Sequence, residues 1–172
     1  GKSTLMKILS GVYTRDSGDI TIFGKKVEGD LNTKRAQELG VAIIHQELNM
    51  CQHLTVANNM FLGRELTKGG KLDTAEMNRQ AVEQLAKLGI HDMDPNTTVG
   101  NLPVGRQQMV EIAKALLINA KVLVMDEPSS ALSNAEIEEM FRIVKELRSQ
   151  GCAIVYISHR HQELHHIVDS VT

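Results

Sequence analysis

Aromatic rings are scarce in this chain: of 172 residues, two are Tyr, three are Phe and none is Trp. Stacking platforms for nucleic-acid bases are therefore few. Excess positive charge is missing too. Nineteen basic residues stand against 21 acidic ones, which gives no general attraction to nucleic acid or to acidic lipid. Cys51 and Cys152 are too few and too far apart for a disulfide framework, and their sparseness favours a reducing compartment. No apolar run approaches the ~20 residues that a membrane-spanning helix needs, and no stretch reads as a signal peptide. If the protein works at a membrane, another chain must anchor it.

What is present begins at the first residue. Gly1-Lys2-Ser3-Thr4 reads as the end of a phosphate-binding loop, running into the apolar helix Leu5-Met6-Lys7-Ile8-Leu9 that Gly11 stops. Each residue type has a reason to be there. Gly1 lets backbone approach a phosphate, Lys2 brings charge to the β and γ phosphates, and the Ser3 hydroxyl can reach Mg2+. The N-terminal N–H groups of the helix add to the anion site. Four common residues are a weak signal alone. The full loop pattern also needs a glycine and four residues ahead of Gly1, so the loop and its feeding strand are expected to be incomplete, with that strand belonging beside the strand at 122–125.

Further along, short apolar strands alternate with helical patterns, which predicts an α/β fold with a largely parallel sheet. The spacing predicts a short strand over 19–23 before Gly24, a helix over 32–39 ended by Gly40, and a buried strand over 41–44. From about 54 to 100 the character turns helical, with loop residues at Lys68-Gly69-Gly70 and a helix opening at Asp73, where Glu76 completes a capping-box pattern. A helix over 104–120, a strand over 122–125, a helix capped by Ser133 and Glu136 that stops at Gly151, and a strand over 153–157 follow. The expected organisation is an α/β core of 1–53 and 121–172 with a helical insertion over about 54–120.

Polar residues gather where such sheets place their sites, at the C-terminal ends of the strands. Asp126 and Glu127 end one apolar strand, Gln46 follows another, and Ser158-His159 follows a third. One carboxylate can hold Mg2+ through water while its neighbour polarises an attacking water. Gln46 can sense metal or water, and His159 can hydrogen-bond a phosphate. Singly, each has a plainer explanation as a solvated strand end or a structural side chain. Their order along the chain, after Lys2 and Ser3, points to an ATPase.

That order resembles the ATP-binding subunits of ABC transporters, and within them the monosaccharide importers of the ribose, galactose and xylose type. Gly1 to Thr4 matches the end of Walker A, Gln46 within Ile43-Ile44-His45-Gln46-Glu47-Leu48-Asn49 the Q-loop, and Leu123 to Pro128 Walker B. Ser130-Ala131-Leu132-Ser133 resembles the D-loop, and Ile154 to Arg160 the switch-histidine segment. The resemblance covers essentially the whole chain and implies a P-loop NTPase of the ABC type, incomplete at its N-terminus and carrying an inserted helical subdomain. It further implies ATP and Mg2+ as ligands, with Gly1, Lys2, Ser3 and Thr4 on the nucleotide and Ser3, Asp126 and Gln46 at the metal. Glu127 would be the general base, helped by His159 and Gln46. The implied partners are membrane permease subunits, a second cassette fused or in a homodimer, and indirectly a sugar-binding protein, with no nucleic acid. The implied location is the cytoplasmic face of a bacterial cell membrane, with residues 47–59 near the permease. In this family two cassettes are often fused, and this chain resembles the first.

The signature loop departs from the family pattern. Where Leu-Ser-Gly-Gly-Gln is usual, this chain has Leu102-Pro103-Val104-Gly105-Arg106. Residues 103–106 would meet the partner's nucleotide, yet Pro103 offers neither hydroxyl nor N–H, though it suits the first turn of a helix. Arg106 either brings charge to the partner's phosphate or faces solvent. Two other function classes follow: a weakened cassette that holds ATP without rapid turnover, and a non-transport ATPase of this type acting on nucleic acid. His161-Gln162-Glu163-Leu164-His165 mimics a zinc-protease helix, but its Glu is one place late for that motif.

Overall fold

The computed structural model describes residues 1–45, 48–160 and 167–169, without the side chain of Ser3. Helix α1 (Lys2–Leu9) starts directly after Gly1, whose carbonyl accepts the Leu5 N–H at 3.1 Å. Gly11 ends it at φ 73°, packed so closely on Asn32 that a Cβ would overlap its backbone. The expected strand over 19–23 is shorter, a hairpin of β1 (Thr21–Ile22) and β2 (Lys25–Lys26). The reason is local: Phe23 and Gly24 both take positive φ, 51° and 74°, and form the turn.

Helix α2 (Thr33–Glu38) is capped by the Asn32 side chain, which accepts the Arg35 N–H at 2.8 Å, and Gly40 at φ 81° follows its end. The apolar run Val41–Ile44 is β3. Beyond it come α3 (Val56–Met60), the hairpin β4 (Thr67–Lys68) and β5 (Lys71–Leu72), and α4 (Thr74–Lys87). The hairpin replaces the expected loop, because Gly69 and Gly70, at φ 59° and 79°, form a two-residue turn. At Asp73 only half of the expected capping box forms. The Asp73 carboxylate accepts the Glu76 N–H at 3.1 Å, but the Asp73 N–H goes to the Leu66 carbonyl and the Glu76 carboxylate is held by Arg79 and Gln80.

Helix α5 (Val104–Leu117), strand β6 (Val122–Asp126), helix α6 (Asn134–Ser149) and strand β7 (Ala153–Ile157) complete the chain. α6 has the full capping box: Ser133 and Glu136 satisfy each other's backbone N–H groups. The three longer strands form a parallel sheet in the order β3-β6-β7. Consecutive β6 residues Leu123, Val124 and Met125 are at most 1% exposed, as a strand covered on both faces requires. Apolar residues of β3 and β6 pack with α3, α4, α5 and α6 in one core, while Ile22, Val27, Leu31, Ala36 and Val41 form a second, smaller one.

The expectation that a further strand lies beside β6 is corrected by this order. β6 already has a strand on each side, so the open edges among the described residues belong to β3 and β7. Along β7 that edge borders a groove of about 490 Å³, lined on the far side by Lys2, Leu5 and Met6 of α1. Leu5 is 60% exposed there and Val155 36%.

Candidate active site

The sheet register builds the site. Ile44 is opposite Met125, and β6 runs one residue further, so Asp126 pairs with Ile157 of β7. The residues that follow each strand, His45, Glu127 and Ser158-His159, therefore leave the same C-terminal edge.

Glu127 leaves β6 at φ 50°, a left-handed conformation that costs a non-glycine residue about 1 kcal/mol or more. Its N–H is held by the Ile157 carbonyl at 2.9 Å. This bend turns its carboxylate toward β7, where Oε1 lies 2.9 Å from Nε2 of His159. The carboxylate is the more sheltered partner, 24% exposed against 75% for the histidine. A half-shielded carboxylate beside an exposed imidazole can take a proton from water and pass it outward. Ser158 fixes the turn after β7 by accepting the Arg160 N–H at 2.9 Å.

Asp126, half-buried at the end of β6, has no hydrogen bond or ion pair from its side chain among the described residues. Its oxygens are open hard donors, the ligand type Mg2+ prefers. The described residues hold no group of three His, Cys, Asp or Glu able to cage a metal. A cation here would thus keep water or substrate oxygens in its shell, as Mg2+ does at phosphate sites. His45, absent from the sequence-based site, also belongs to this edge. Its imidazole is pushed below its ordinary pKa by burial and by Lys7 of α1, with Asp126 pulling the other way. Its only sequence signal was the place after β3.

Lys2 lines the groove along β7 together with Ile157. Gly1 and Thr4 open α1, and a Cβ on Gly1 would meet nothing within 4 Å, so no packing requires glycine there. The Ser3 side chain and Gln46 fall outside the described part, as do His161 and His165 of the zinc-like segment.

The opening turn of α5 faces a different groove, of about 360 Å³, between α5, α6 and residues 89–92. Pro103 is the N-cap at φ −55° and ψ 151°, with no side-chain cap bond, and Val104 is exposed. The Glu136 carboxylate packs so closely on Gly105 that a Cβ there would overlap it. The Arg106 side chain is 40% exposed. It forms a two-pronged pair with Asp92 at 2.9 and 2.8 Å, which holds the Asp92 carboxyl below its usual range. Nothing local in the sequence signals that pairing across 14 residues.

Comparison with known proteins fits this geometry. The ABC transporter family model matches residues 1–130. A putative ribose/galactose/methyl galactoside import ATP-binding protein of Burkholderia ambifaria is 55% identical over all of this chain and 34% of its own length. A ribose import ATP-binding protein of Bacillus cereus is 53% identical over all of this chain and 35% of its own. The chain thus spans about a third of the length of these curated relatives. Among solved structures, an ATP-binding cassette dimer in a post-hydrolysis state with ADP and Pi superposes with a TM-score of 0.77 at 24% identity, covering 96% of this chain and 73% of that one. An ADP-bound cassette of an ABC transporter gives 0.78 at 24% identity, covering 97% and 69%. Fold, strand-end carboxylates and family model agree: this chain belongs to the ABC transporter family.

Proposed function

We propose that this chain binds ATP with Mg2+ and hydrolyses it to power import of a ribose-like monosaccharide through partner permease subunits. The observation that carries the reading is the Glu127–His159 contact of 2.9 Å beside the open Asp126 carboxylate. Glu127 accepts the proton of the attacking water, since its strained backbone aims the carboxylate across the sheet edge. His159 orients that carboxylate and, being exposed, is placed to reach the γ phosphate. Lys2 with Gly1, Ser3 and Thr4 holds the phosphates at the start of α1. Asp126, with Ser3 and Gln46, would hold Mg2+, which supplies charge neutralisation at the β and γ phosphate oxygens.

In this reading residues 1–53 and 121–172 are the α/β part, 54–120 the helical part, and residues 103–106 face the nucleotide of a second cassette. The protein works on the cytoplasmic face of a bacterial membrane, is fed indirectly by a sugar-binding protein, and takes no nucleic acid. The names of its relatives as ribose and galactose import proteins support the sugar. No helix among the described residues is long and apolar enough to cross a membrane.

A second reading, an ATP-holding cassette with slow turnover, is favoured by one observation: Pro103 leaves α5 without a side-chain cap while Asp92 engages Arg106. One experiment separates the two: phosphate release from ATP by the protein with Pro103 and with Pro103→Ser, using Glu127→Gln as the blank. Turnover alike in both supports the transport ATPase. Turnover only with serine supports the slow cassette, and none in either contradicts hydrolysis.

A further inference from the structure

Gln107 is 7% exposed in the first turn of α5, where a polar side chain must find partners or destabilise the fold. It finds two. Its Nε2 donates to the Leu102 carbonyl at 2.9 Å, and its Oε1 accepts from Nε2 of Gln52 at 3.2 Å. The orientation follows from the partners: a carbonyl can only accept, so the amide nitrogen faces Leu102 and the oxygen is left for Gln52. Burial alone does not produce such a fit. The neighbouring Gln108 is 3% exposed, yet its Nε2 has no partner among the described residues.

Gln52 is also tied by its backbone to the short 3-10 turn Val99–Asn101 that leads into α5. Its carbonyl accepts the Gly100 N–H at 2.9 Å, and a Cβ on Gly100 would stand only 2.9 Å from that oxygen. The Val99 N–H reaches the Leu54 carbonyl at 3.0 Å. On the other side, buried Asn59 of α3 accepts the Cys51 N–H at 2.9 Å and donates to the Cys51 carbonyl at 3.0 Å. Residues 51–54, which follow the segment after β3, are thus clamped between α3 and the turn that opens α5. Pro103 supplies no cap of its own, so the Gln107 amide is the side-chain group that holds the Leu102 carbonyl in direction.

We propose that Gln107 is a positioning residue that couples residues 51–54 to the opening turn of α5 through the Gln52–Gln107–Leu102 hydrogen bonds, so that displacement of one moves the other. The proposal rests on the reading of that turn as part of a nucleotide site, and it adds the route by which movement after β3 reaches it.

The test combines amide exchange and ATP turnover in the full chain for wild type, Gln52→Met, Gln107→Met and the double variant. Loss of either bond should speed exchange at Gly100 and Leu102 about fivefold, the scale of one hydrogen bond. The double variant should exchange no faster than Gln107→Met alone. Turnover should fall in both single variants while the KM for ATP holds. Multiplying effects, unchanged exchange, or a loss that follows melting temperature with KM rising in step would overturn the coupling. Gln52 is exposed, so its variant keeps the test open if Gln107→Met does not fold. If no form hydrolyses ATP, the functional reading fails by itself and the exchange pattern still decides the coupling.

Discussion

In the reading proposed above, the edge of the sheet and the opening turn of α5 both place groups at a phosphate, in opposite ways. At the sheet edge the side chains carry the chemistry, and the backbone is bent to aim them: Glu127 sits at φ 50° to meet His159. In the α5 turn the side chains of the usual motif are gone or engaged, with proline at 103 and Arg106 held by Asp92. The turn is fixed instead from outside, by the Glu136 side chain packed against Gly105 and by Gln107 on the Leu102 carbonyl. Chemistry at the edge depends on particular functional groups, whereas the turn depends on where its backbone lies. The first should therefore fail by losing one carboxylate, and the second by losing space.

The largest expected effect is at the edge. Glu127→Gln keeps shape and removes the base, and phosphate release should drop about 10²- to 10⁴-fold with nucleotide binding retained, as single-turnover assays with a binding control would read. In the turn, Gly105→Ala should destabilise the fold by about 1–3 kcal/mol in denaturant titrations, because its Cβ overlaps Glu136. Against a Glu136→Ala background, which also loses the α6 capping box, the added Gly105→Ala step should be close to neutral. If Gly105→Ala alone is neutral, space is not what fixes the turn.

A smaller effect concerns Glu111 of α5, whose carboxyl burial pushes above its ordinary pKa with Lys114 opposing. A raised carboxyl pKa means the folded chain holds this proton more tightly than the unfolded one. Its contribution is then full below the unfolded value and declines as pH rises through the folded value. Glu111→Gln should remove that decline, so wild type and variant should diverge in melting temperature as pH rises above the ordinary carboxylate value.

Much of this was legible in the sequence where a local rule decides. The apolar runs of β3, β6 and β7, the Ser133–Glu136 capping box and the glycine after α6 each report on their own neighbourhood, and each appears as expected. The conjunction of Asp126, Glu127 and His159 at strand ends was legible for the same reason. What failed was decided at a distance or by competition. Phe23 reads as a strand residue but takes the turn with Gly24, and the Asp73 N–H prefers the Leu66 carbonyl to Glu76. Strand order is not a local property, and β6 lies between β3 and β7 rather than beside an open edge. The Arg106–Asp92 and Gln52–Gln107 contacts join residues with no periodic relation, so no pattern announces them.

The most direct test is a double-variant cycle on the pair at the sheet edge: single-turnover phosphate release by Glu127→Gln, His159→Ala and both together. If the 2.9 Å contact is a working unit, the double variant is no slower than Glu127→Gln alone. Independent, multiplying losses, or turnover that survives Glu127→Gln, would contradict it.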